Sequence, residues 1–161
     1  TESATNESST LSLPAAPPIS FDYIGIAAHS PTDNIFDSNT FLLNGTWHMY
    51  AINDTNSTHW YLTSTDGVHY TVDGPYNFSE GTNNHFASNG FIDGSTYRMF
   101  TSFLPNQSLY SFTSTDGINW TFEGTRLNYG TVSGEGSYLK DPAITQLSNG
   151  TWLMVYVTRI P

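Results

Sequence analysis

Eight asparagines stand two residues before a hydroxyl: Asn6, Asn44, Asn53, Asn56, Asn77, Asn106, Asn119 and Asn149. Asn-X-Ser/Thr is the acceptor pattern for N-linked glycans, a chemistry of secreted chains and surface positions. The number is about twice what the Asn, Ser and Thr content gives by chance. The pattern therefore predicts a secreted, extracellular glycoprotein with N-linked glycans on several of these sites. At Asn44 and Asn149 the run Asn-Gly-Thr is also good turn chemistry.

Other reactive types are less organised. The histidines His29, His48, His59, His69 and His85 form no metal-ligand pair at short spacing, so no metal is expected. His48 and His69 fall on the polar beat of alternating strands and read as solvent-facing. Asp66 and Asp116 each precede Gly in Thr-Ser-Thr-Asp-Gly, where an Asp that bonds its own backbone explains them as scaffold. Trp47, Trp120 and Trp152 follow a structural period and read as core, whereas Trp60 lies off it and is the candidate for stacking on a sugar ring.

The elements that hold these residues are strands. Aromatics make up 15% of 161 residues, a bias that suits pleated sheet, and no long stretch shows helical spacing. With 4 Lys+Arg against 14 Asp+Glu, the chain lacks the basic footprint of a nucleic-acid binder. No apolar run is long enough to insert in a membrane. The absence of Cys excludes disulfides and thiol chemistry, and nothing calls for a cofactor. Residues 1–18, rich in Ser, Thr and Pro, read as a flexible N-terminal segment, and 19–161 as a β-repeat domain. The start at Thr1 implies a removed leader or a longer precursor.

The repeat is explicit. Thr46-Trp47-His48-Met49-Tyr50 returns as Thr96-Tyr97-Arg98-Met99-Phe100 and as Thr151-Trp152-Leu153-Met154-Val155. Thr63-Ser64-Thr65-Asp66-Gly67 returns as Thr113-Ser114-Thr115-Asp116-Gly117. Units near 33–73, 83–123 and 138–161 each parse into short strands, with turns expected at Asn44-Gly45, Asp93-Gly94 and Asn149-Gly150. The fold class predicted is all-β: tandem four-stranded antiparallel propeller-type blades, about two and a half of them, incomplete as a closed propeller.

Lys140-Asp141-Pro142-Ala143-Ile144, Asn149-Gly150-Thr151-Trp152 and Ser114-Thr115-Asp116-Gly117-Ile118-Asn119-Trp120 resemble the blades of the five-bladed propeller glycosidases, the group of arabinanases, β-xylosidases and invertases. The resemblance implies acids near the start of the innermost strand of successive blades. The matching positions are Asp141 in the third unit and Asp37 in the first; the second reads His85-Phe86-Ala87-Ser88-Asn89, without an acid. Glu135, between Gly134 and Gly136, is a further candidate acid, because its glycines let backbone approach a ligand.

The third unit stops after its second strand, and a strand expected near Phe21–Ile26 has no partner in the repeat. Two functions follow. One is an extracellular, N-glycosylated assembly module, a filament or surface-layer subunit that completes its sheet with copies of itself by β-strand addition. The other is the N-terminal part of a secreted propeller glycoside hydrolase or carbohydrate-binding protein.

Overall fold

The computed structural model describes residues 35–53, 58–80, 85–103, 105–132 and 138–158. The expected strand near Phe21–Ile26 lies outside them. Among the described residues every regular element is a strand, and the fold is all-β as predicted. The first unit is a four-stranded antiparallel sheet of β1 (Ile35–Leu43), β2 (Thr46–Asn53), β3 (Thr58–Ser64) and β4 (Thr71–Pro75) in chain order. The second repeats it with β6 (His85–Asp93), β7 (Thr96–Phe103), β8 (Ser108–Ser114) and β9 (Asn119–Leu127). The third is the hairpin β10 (Leu139–Gln146) and β11 (Trp152–Thr158).

One strand is extra. After β4 the chain crosses to the second unit, and β5 (Asn77–Phe78) pairs in parallel with β9, making that sheet five-stranded. The N–H groups of Asn77 and Ser79 donate to the carbonyls of Ile118 and Trp120, both at 2.8 Å.

The turns differ in detail from the sequence expectation. Asn44 and Gly45 both have positive φ, 50° and 80°, as a type I′ hairpin demands. In the second unit Asp93 itself pairs with Thr96, so the turn is Gly94-Ser95, with Gly94 at φ 63°. The third turn is longer: the Gly150 N–H donates to the Leu147 carbonyl and the Leu147 N–H to the Thr151 carbonyl.

The core lies between the first two sheets. Tyr50, Tyr61, Tyr76, Phe78, Tyr97, Phe112 and Trp120 are buried there. Tyr50 meets Tyr76 and Trp120 edge-on at 5.2 and 5.3 Å between centroids, the geometry that aligns ring edges with π faces. The first strands of the units adjoin, β6 touching both β1 and β10, so they form the inner wall shared by all three.

Candidate axial site

Each inner strand carries one register break. It falls between Phe36 and Asn39 in β1, Ala87 and Asn89 in β6, and Lys140 and Ala143 in β10. Beyond it, Asn39, Asn89 and Ala143 pair with Tyr50, Phe100 and Val155, the same position in the three copies of the Thr-aromatic-x-Met motif. Counting back two residues gives Asp37, Ala87 and Asp141. Asp37 and Asp141 are thus equivalent although they lie at different distances from the motif, because the extra residue is in the longer Leu147–Gly150 turn. In the second unit Ala87 holds the position and is 1% exposed.

β-Bulges re-aim side chains, which is why they recur beside functional sites. These bulges converge. Ser38, Ser88, Asn89 and Asp141, with Ala87 and Pro142, border a pocket of ≈ 210 Å³. Asp141 sits at φ 50°, a left-handed conformation uncommon for a residue with a Cβ. Its N–H donates to Ser102 Oγ at 3.0 Å, and the Ile144 N–H donates to Asn89 Oδ1 at 2.9 Å, so two side chains of the second unit hold the bulge of the third. The Asp141 side chain is 48% exposed, with Lys140 Nζ 3.5 Å from Oδ2. A carboxylate ringed by hydroxyls and an amide can bind the hydroxyls of a sugar; cleaving a glycosidic bond needs a second carboxyl as well.

The other sequence candidates separate. Asp37 lies in β1 at the bulge, but its side chain is outside the described residues, as is Glu135 altogether. Trp60 is half-buried in β3, opposite Pro75. Trp152, read as core, is 48% exposed and stacks on Phe91 with 4.3 Å between centroids. It escapes burial because among the described residues the third unit is only a hairpin. Of the sequons, Asn44, Asn77, Asn106, Asn119 and Asn149 are exposed, and Asn6 and Asn56 lie outside the described residues. Asn53 is 1% exposed, which leaves its amide no room for a glycan on the folded chain.

His48 corrects the sequence reading. It is half-buried, not solvent-facing, stacked between Phe41 and Tyr61 with Nδ1 2.7 Å from the Tyr61 hydroxyl. Burial lowers its pKa. His69 is exposed and its Nδ1 lies 2.7 Å from Asp66 Oδ2. That bond, with the N–H groups of His69 and Val68 and the Ser64 hydroxyl, holds Asp66 well below the usual carboxylate range. Asp116 is held low in the same way, first by the backbone and side-chain amides of Asn119. Both carboxylates are occupied by their own turns. Among the described residues no three His, Cys, Asp or Glu cluster as metal ligands do.

A second concavity, an open groove of ≈ 670 Å³, lies between the second and third units beside Phe91, Phe100, Trp152 and Tyr156. Arg98 and Arg126 border it, both tied to Glu123: Arg98 Nε and Nη2 donate to the carboxylate at 2.9 Å, and Arg126 Nη2 at 3.3 Å. These donors and Ser111 outweigh the effect of burial and hold Glu123 below its ordinary pKa. No sequence motif marked this network, because its members come from three strands.

By sequence, no family model and no curated protein matches the chain. By structure it is similar to propeller glycosidases. An exo-β-1,3-galactanase from Phanerochaete chrysosporium aligns over 76% of this chain and 32% of its own, with TM-score 0.57 and 13% identity. A thermostable family-43 glycoside hydrolase aligns over 80% and 43%, with TM-score 0.59 and 16% identity. A Bombyx mori GH32 β-fructofuranosidase aligns over 81% and 30%, with TM-score 0.61 and 14% identity. At such identities the likeness is one of fold: partial, propeller-like, and shared with the five-bladed propeller glycosidases. The chain spans about a third to under half the length of these structures.

Proposed function

We propose that the chain is the carbohydrate-facing part of a secreted propeller glycoside hydrolase, whose axial pocket takes a sugar. The observation that carries this reading is the bulge equivalence. Asp37 and Asp141 stand at one repeat position on β1 and β10, the two inner strands that flank β6, and the pocket there offers Asp141, Ser38, Ser88 and Asn89. Asp141 serves as one carboxylate, and Asp37 and Glu135 are the candidates for the second. The similar structures support the class of reaction, but the sugars bound in them differ (galactose, sucrose and xylose among them), so they select none for this chain. The test is titration of the chain with β-1,3-galactotriose, arabinan, xylan and sucrose, following heat of binding and released sugar. Binding or release that is lost in Asp141→Asn supports the reading; neither with any of the four overturns it.

A second reading, assembly through sheet addition, is favoured by one face of β11. Leu153, Val155 and Val157 are 43%, 56% and 47% exposed. They are the repeat equivalents of His48, Tyr50 and Ile52, and His48 and Tyr50 pack onto the second unit through Tyr97 and Trp120. A further sheet, from a neighbouring copy, fits this face.

A further inference from the structure

We propose that Ser102 and Asn89 are positioning residues for Asp141, an inference that rests on the axial site being the carbohydrate site. Asp141 does not reach its left-handed φ of 50° by glycine-like freedom, so that conformation must be imposed from outside. The imposing groups belong to the neighbouring unit. Ser102 Oγ accepts the N–H of Asp141 itself, and Asn89 Oδ1 accepts the N–H of Ile144, just past the bulge. Between these two anchors lie only Pro142, which is fully buried and has no N–H to give, and Ala143.

The asparagine has a counterpart at the same place in the first unit. Asn39 is the first-unit equivalent of Asn89, and Gly90 is the second-unit equivalent of Ile144, because Gly90 pairs with Met99 and Ile144 with Met154. The Asn39 side-chain nitrogen lies 3.5 Å from where a Cβ on Gly90 would sit, so Asn39 lies beside the matching residue of the second unit. The serine anchor is not repeated: its equivalents are Ile52 and Val157. Among the described residues, the acid-bearing bulge of the third unit is bonded at both ends by side chains of the second. The aim of the Asp141 carboxylate is therefore set by a unit that has no bulge acid of its own.

The experiment compares the full chain with Ser102→Ala, Asn89→Ala and the acceptor-retaining Ser102→Thr and Asn89→Asp. It reads amide hydrogen exchange and the HN–Hα coupling of Asp141 by NMR, and in parallel affinity for the four sugars above. The expected result is exchange of the Asp141 amide (Ser102→Ala) or the Ile144 amide (Asn89→Ala) faster by roughly tenfold or more. The Asp141 coupling shifts, sugar affinity falls about tenfold, and both conservative variants restore wild-type values. Unchanged amides and coupling in both alanine variants overturn the proposal, as does full sugar affinity where the Asp141 coupling has shifted. If one alanine variant fails to fold, the other decides. A wild-type chain that binds none of the sugars removes the carbohydrate reading, while the amide and coupling readouts still decide whether Ser102 and Asn89 set the conformation of Asp141.

Discussion

His59 places its Nε2 3.1 Å from the backbone carbonyl oxygen of His85, joining β3 of the first unit to β6 of the second. A carbonyl only accepts, so Nε2 carries the proton and a neutral His59 keeps Nδ1 bare. His85 is wholly buried against Phe78, Phe103, Tyr110 and Phe112, and its Nδ1 meets the Thr101 hydroxyl at 3.1 Å.

This pair predicts acid sensitivity. Burial lowers both imidazoles, and His85, further lowered by His59, falls from 6.5 to about 4. Between those values the unfolded chain binds the proton that the folded chain refuses, so stability rises with pH across the window. It is full above 6.5 and lost downward, by about 3 kcal/mol at most for His85. Urea midpoints at pH 7.5 and 4.5 check this; a flat profile between them refutes it.

The two Thr-Ser-Thr-Asp-Gly turns lock through their glycines. Gly117 has φ 76°, and a Cβ there would sit 2.8 Å from the Tyr50 hydroxyl. Gly117→Ala is expected to cost about 2–4 kcal/mol, from backbone strain plus displacement of a buried ring. Gly94, at φ 63° in open space, is the control: Gly94→Ala should cost only about 1 kcal/mol. Equal midpoints for the two variants would remove the packing argument.

Glycopeptide mapping of secreted material should find glycans among Asn44, Asn77, Asn106, Asn119 and Asn149 and none on Asn53, which is 1% exposed. A glycan on Asn53 of the folded chain would contradict the packing of β2.

The assembly reading makes its own forecast. Val155→Asp puts a charge on the most exposed valine of β11, at 56% exposure. If copies join through that face, light scattering of the wild type shows oligomers that dissociate in this variant; a wild type monomeric at every concentration ends the reading.

The sheets, the repeat and the equivalence of Asp37 with Asp141 were legible in the sequence, because strand alternation and repeated motifs are local signals. The pins were nearly so: Phe36-Asp37-Ser38-Asn39 and Phe86-Ala87-Ser88-Asn89 are spaced like the motifs that defined the units. What hid Asn89 and Ser102 is that their partners are backbone N–H groups, which no residue type announces. His48 was misread because alternation tells one face of a strand from the other, but not that a neighbouring sheet covers both. Trp152 was misread for the converse reason, its repeat position promising a cover that the hairpin of β10 and β11 does not give.

β5 ties the first two units in a way their similarity conceals. The segment linking them is a strand of the second sheet, and Tyr76 beside it and Phe78 within it are core residues shared by both. Excising the first unit together with that linker would take a strand from the second. The first unit and its linker cannot melt without taking a strand from the second sheet, and the second cannot melt without uncovering the core they share. A calorimetric scan should therefore show them in a single endotherm, and a protease that nicks the linker should collapse both rather than release one intact.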